Sequence, residues 1–224
     1  MAEFVDALRT APLWAQILVP IVVLAMLASA IDKPRRRRRA RETFARLAAQ
    51  AGAPVTTVDW VTETFPLDLA GRRFEIRREW HTRGQSSTHG YRGPVGHLLV
   101  TSTPLSSSRW ELHQIDIATL DTAARRSTDP TSGDAAFDAR FRVRQDGVPV
   151  RDAWLDAATC AAVTALFDTP GVRGPVWVQG QAVQVLHQEP WWDIDLAALT
   201  RVLHAQAAVA AALERTAGWR GPAA

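Results

Sequence analysis

Residues 11–31 (APLWAQILVPIVVLAMLASAI) run without a single charge, and no other feature limits so strongly what this chain can become. As a helix rising ~1.5 Å per residue, a stretch of this length is roughly 31 Å long and matches a hydrocarbon core of about 30 Å. The segment therefore predicts one N-terminal transmembrane helix. Pro20 lies in its middle, which membrane helices tolerate when neighbouring groups take up the freed carbonyl, and Trp14 stands where an interfacial aromatic belongs. Two other readings compete. A cleaved signal peptide wants a positive leading region, yet Glu3 and Asp6 accompany Arg9, and Ala28-Ser29-Ala30 is a weak cleavage site. A buried core helix is rarely apolar on every face.

The charge that follows sets the expected topology. Lys33, Arg35, Arg36, Arg37, Arg38, Arg39, Arg41 and Arg46 crowd the segment after the apolar stretch. Basic residues flanking a span stay on the cytoplasmic side, so the N-terminus is expected outside and the remainder in the cytoplasm, at the cell's inner membrane. The first seven of these residues are the expected membrane-surface contact, and the lipid bilayer is the expected partner. The sequence pI of about 9.9 otherwise invites a nucleic-acid reading. The excess of positive over negative charge lies in the one block, however, leaving 17 basic against 19 acidic residues from position 47 onward. No aromatic residue is interleaved among the arginines for base stacking, so no nucleic-acid partner is expected.

With 47% hydrophobic residues the chain can bury a core without disulfides, and its lone cysteine, Cys160, sits in an apolar stretch as a small buried residue would. Phe44, Leu47 and Ala48 space an amphipathic helix that Gly52 ends. Residues 55–62 predict a first strand, and Asp68-Leu69-Ala70-Gly71 a turn into a second. There Phe74, Ile76 and Trp80 alternate with Arg73, Glu75, Arg77 and Glu79. Residues 84–96 are a long loop, 97–103 and 109–117 further strands, and 121–133 a loop or linker. Phe137, Ala139, Phe141 and Val143 alternate as another strand. A helix over 152–167, a hairpin of 176–179 and 182–187, and a last helix capped by Asp193 or Asp195 complete the order. The expected fold class is α+β: a single N-terminal transmembrane helix, then a mainly antiparallel sheet with two C-terminal helices. The segments are 1–32, 33–53, 54–120, 121–133 and 134–224.

Chemistry is sparse. There is no Gly-x-Ser-x-Gly elbow, Walker lysine, Cys-x-x-Cys or His-Glu-x-x-His, and Gly90 to Gly96 lacks the residues of a phosphate loop. His81, His89, His97 and His113 fall in one strand-rich region, and adjacent strands could bring two or three together as metal ligands; against this, no ligand spacing is matched. Asp129, Asp134 and Asp138 fit turn chemistry better than a calcium loop. Trp191 and Trp192 are either an aromatic anchor for a protein partner or packing ahead of the last helix. No catalytic residue, metal ligand or cofactor is assigned.

The segment Gly133-Asp134-Ala-Ala-Phe137-Asp138-Ala-Arg-Phe141-Arg-Val143 resembles a Gly-Asp-x-x-Phe-Asp-x-x-Phe-x-Val motif of uncharacterised bacterial membrane-anchored proteins. The resemblance covers about the last hundred residues and implies a domain of unknown function without known catalytic residues. The leading expectation is a membrane-anchored cytoplasmic interaction or scaffold domain, not an enzyme. The alternatives are a membrane-tethered hydrolase or metal-dependent enzyme using the histidine-bearing sheet face, and a module responsive to anionic lipid.

Overall fold

The computed structural model describes residues 12–81, 96–106, 113–120, 129–147, 154–172, 174–179, 181–187 and 190–216. The chain forms two compact units, residues 1–42 and 43–224. The first helix, α1 (Leu13–Gln50), supplies the described part of the first unit and, with residues 43–50, opens the second.

The expected single N-terminal transmembrane helix is overturned. Among the described residues, the helix long and apolar enough to cross a membrane is the last one, Leu196–Arg215, and not an N-terminal one. The N-terminal helix does not end where its uncharged stretch ends. It continues through Pro34 and the whole basic block as one element of 38 residues. Ion pairs one turn apart support that continuation, Asp32 with Arg36 at 2.5 Å and Arg38 with Glu42 at 2.7 Å. An uncharged run long enough for a bilayer is, in this fold, the first part of a longer helix whose remainder is charged.

The second unit is built on an eight-stranded, wholly antiparallel sheet. Its strands are β1 (Thr56–Thr57), β2 (Thr62–Leu69), β3 (Arg72–His81), β4 (Gly96–Pro104), β5 (His113–Thr119), β6 (Phe141–Gly147), β7 (Val176–Gln179) and β8 (Ala182–His187). Their spatial order is β1-β2-β3-β4-β8-β7-β5-β6. The first four make a meander, β5 and β6 pair at the far side, and the β7–β8 hairpin fills the space between β4 and β5. Five of the six residues of β8 are accordingly buried, because a central strand has neighbours on both edges and cover on both faces. Gly174, just ahead of β7, permits this fit: a Cβ there would lie 2.2 Å from the Leu186 carbonyl oxygen.

The remaining helices are α2 (Ala135–Arg140), α3 (Ala157–Asp168) and α4 (Leu196–Arg215). Inward residues of the sheet, including Ile115, Ile117, Val143, Val176, Val178, Val183 and Val185, join Val163 and Leu166 of α3 and Val202, Val209 and Leu213 of α4 in one core. α4 is a core helix although its composition passes for a membrane span, with nine of its residues buried against the unit. Its one deeply buried polar side chain explains its registry. The Gln206 amide nitrogen donates to the carbonyls of Thr101 (2.9 Å) and Val183 (2.8 Å), and its oxygen accepts from the Thr101 hydroxyl at 2.7 Å. Helix and two central strands are thus locked by a fully satisfied amide.

One predicted strand is in part a helix. Residues 135–140 form α2, and the strand begins only at Phe141. The Asp134 carboxylate caps the helix, accepting from the backbone N–H groups of Ala136 (2.9 Å) and Phe137 (3.1 Å). Asp138 reaches back to accept from the N–H and hydroxyl of Ser132 and the N–H of Gly133. Phe137 and Phe141 pack at 4.8 Å between ring centroids, and Phe141 also meets Phe167 at 5.0 Å. The acidic and aromatic positions of the Gly-Asp-x-x-Phe-Asp motif therefore have structural work: two carboxylates close a turn onto a short helix, and the phenylalanines hold it on the core.

Candidate interaction surfaces and the buried polar cluster

In the first unit, large apolar side chains of α1 stand in the open. Trp14, Ile17, Leu18, Ile21, Val22, Leu24 and Met26 are each exposed by half or more, and the side chains of residues 32–39 are exposed as well. The seven basic residues expected at a membrane surface, Lys33 through Arg41, all lie on this helix and all are solvent-facing. An exposed apolar surface of this extent is a candidate contact surface.

The second unit places the two predicted tryptophans otherwise. Trp191 is buried, and its indole N–H donates to the His97 carbonyl at 3.1 Å. Trp192 is half-buried, and its carbonyl accepts from the Thr43 hydroxyl at 2.9 Å. The pair closes the sheet end ahead of α4, whose N-cap is Asp195, accepting from Ala198 N–H at 2.6 Å.

The exposed tryptophan is one that sequence reading passed over. Residues 55–62, expected as one strand, break after two residues into a tight turn. The carboxylate of Asp59 accepts from the N–H groups of Val61 and Thr62, both at 2.7 Å, and Val58 N–H donates to the Thr62 carbonyl at 3.0 Å. The hydrogen bond from Val61 holds the Asp59 carboxyl below its ordinary pKa. Trp80 N–H donates to the Val61 carbonyl at 3.2 Å, fixing the turn to the end of β3. Above this frame Trp60 is 71% exposed and Val58 63%.

Beneath the same sheet end lies a buried polar cluster. Arg78 is 2% exposed and pairs with Glu63 across the β2–β3 register at 2.9 Å. Its guanidinium also lies 3.4 Å from His97 Nδ1; arginine only donates, so Nδ1 accepts. The His97 ring packs on Trp80 with centroids 4.4 Å apart. His97 is therefore spoken for by an arginine and two tryptophans. His81 and His113 lie on β3 and β5, which β4, β8 and β7 separate, roughly 19 Å at ~4.8 Å per strand. His89 lies outside the described residues, as do residues 84–95 of the expected loop 84–96 and residues 121–128 of the expected loop or linker 121–133. Among the described residues no group of three or more His, Cys, Asp or Glu side chains is placed to hold a metal ion. Cys160 is buried, with its thiol 3.7 Å from the Leu155 carbonyl, and burial raises its pKa.

At the opposite sheet end a depression of about 200 Å³ is lined by Gly71, Arg72, Thr103, Pro104, Ser106 and Glu214, among others. Arg72 ion-pairs with Glu214, which also accepts from Ser106 N–H at 2.8 Å. Burial works to raise the Glu214 carboxyl, but these hydrogen bonds outweigh it and its pKa lies below the ordinary value. The pair ties the end of α4 to β3 and β4.

Neither a family model nor a curated protein sequence matches this chain.

His187 supplies a pH dependence that can be measured. It is 1% exposed at the end of β8, and its Nδ1 lies 3.1 Å from the Gly171 carbonyl, to which Nδ1–H donates. Burial lowers its pKa to about 4, against a smaller raising effect of that hydrogen bond. The folded chain refuses a proton that the unfolded chain accepts near pH 6.5, so the contribution is complete above pH 6.5 and is lost as pH falls toward 4. The loss amounts to about 3 kcal/mol by pH 4. Denaturation of the full chain between pH 7 and 4 should show this slope, and His187→Leu should flatten it; an unchanged slope would exclude His187 as its source.

Proposed function

We propose that this chain is a membrane-associated interaction module, whose first unit meets an anionic lipid surface and whose α+β unit binds a protein partner on the cytoplasmic face. The observation that carries this is the juxtaposition, on α1, of exposed Trp14, Ile17, Ile21, Leu24 and Met26 with the exposed basic residues from Lys33 to Arg41. Apolar side chains enter the acyl boundary, tryptophan favours the interface, and arginines bind anionic headgroups at about 1 kcal/mol each near the surface. A non-catalytic role is supported by buried and half-buried polar side chains of the second unit that are engaged in structure: Arg78 on Glu63, Arg72 on Glu214, Gln206 on two strands.

Flotation of the full chain with vesicles tests the lipid part. Vesicles containing phosphatidylglycerol should carry the chain upward more strongly than phosphatidylcholine vesicles. Changing Arg35 to Arg39 together to glutamine should weaken anionic binding by at least about a hundredfold at low salt. Equal binding to neutral and anionic vesicles, or no effect of the five changes, would sink the reading. Cross-linking in gently solubilised membranes tests the protein part, with Arg→Gln and parent chains compared.

A further inference from the structure

Resting on the proposed lipid association, we propose that the Val58–Trp60 turn is a second lipid contact, by which the α+β unit itself docks on the bilayer surface. Four observations converge on it. The turn is ordered rather than loose, through Asp59 and the Trp80 N–H bond to Val61. It displays Val55, Val58 and Trp60 to solvent, the last two among the most exposed large apolar side chains of the described residues. It lies at the sheet end to which Thr43, the first residue of this unit, is bonded. Thr43 bonds there to Trp192, Trp191 bonds to His97, and His97 stands opposite Trp80 in the β3–β4 register. Exposed Arg46, held 3.4 Å from the Thr43 hydroxyl, places one cation of the block within this unit.

The surface fits lipid better than protein. Three side chains supply a small fraction of the roughly 800 Å² per partner that a stable protein interface requires. A strand-adding partner would need a long free edge, whereas β1 is two residues long. Tryptophan beside valine suits the headgroup boundary, where one face of the indole is apolar and its N–H is wet. The acidic groups at this end limit the depth of entry. Asp59 is solvent-exposed and charged at the turn itself, and Asp193 and Asp195 are exposed, the latter engaged as a helix cap. Insertion is therefore shallow, with Val58 and Trp60 entering and the turn backbone staying at the headgroups.

A Val58→Cys chain labelled with an environment-sensitive fluorophore reads the contact directly, because the native Cys160 thiol is buried and escapes labelling. Asp68→Cys, exposed near the end of β2 at the opposite sheet end, is the control. On phosphatidylglycerol vesicles the label at 58 should shift to the blue and be quenched by headgroup-proximal nitroxide lipid, and the label at 68 should do neither. Trp60→Ser should weaken vesicle binding several-fold while leaving the fold intact. A label at 58 that stays in water on vesicle-bound chain overturns this inference and leaves the lipid association standing. A blue shift without vesicles that grows with protein concentration overturns it in favour of a second copy. Failure of the unlabelled chain to bind vesicles removes the lipid association and this inference together.

Discussion

Replacing Gln206 with leucine should destabilise the α+β unit by about 3 kcal/mol, although the change makes a buried helix more apolar. The amide lies at 0% exposure and satisfies three partners, two strand carbonyls and the Thr101 hydroxyl. Leucine retains the volume but leaves those groups without their partner in a site closed to water. Each buried orphan costs about 1–3 kcal/mol, partly offset by the better transfer of leucine. The Thr101→Val, Gln206→Leu double variant removes the hydroxyl as well and should recover about 1 kcal/mol of the loss. Chemical denaturation of the full chain gives both values from the shift in midpoint. A Gln206→Leu chain as stable as the parent would show that α4 is registered by its apolar residues alone.

The second large effect belongs to Arg78. Arg78→Met should cost about 3–5 kcal/mol, because it strands Glu63 in a largely buried position without its cation. The same accounting makes the loss reversible. Arg78→Met with Glu63→Gln removes both charges and should regain more than half of it, since a buried ion pair contributes little net stability beyond what its own desolvation costs. If the double variant is no better than the single one, the arginine acts through its contact with His97 or through packing, and not through the pair. Neither variant alters an exposed residue of the Val58–Trp60 turn or of the basic block, so vesicle binding should survive in any chain that folds.

These two positions also show where the sequence could be read and where it could not. The alternation of Phe74, Ile76 and Trp80 identified β3 and its inward face, but Arg78 shares that face and breaks the pattern. Its partner sits on another strand, fifteen residues away, and local periodicity carries no record of a cross-strand charge. The hairpin of β7 and β8 was legible to the residue from its apolar runs around a glycine. Its insertion between β4 and β5 was not, because strand order depends on long-range packing. Phe137 and Phe141 misled for a definable reason: spacing of four satisfies both the two-residue period of a strand and the turn of a helix. Asp134 decided the matter by capping.

The candidate surfaces divide in the same way. The basic block and the apolar stretch before it could be listed from composition alone. That α1 continues through both, and that among the described residues the helix of membrane-like length and apolarity is α4 in the core, is decided by the fold and not by composition. Of the tryptophans, Trp191 drew notice by standing beside a second one, yet it is the buried member, while isolated Trp60 is exposed. A tryptophan side chain is equally suited to a core and to an interface, so its type does not say which it enters.

By itself the sequence determined the α+β class, the antiparallel strands and the concentration of positive charge, since each follows from neighbours within a few residues. Tertiary structure decided the strand order, the burial of Arg78, His97, His187 and Gln206, the exposure of Trp60, and the role of the longest apolar helices. The physical reason is that burial and partnership are properties of pairs distant in the chain, and only packing brings those pairs together.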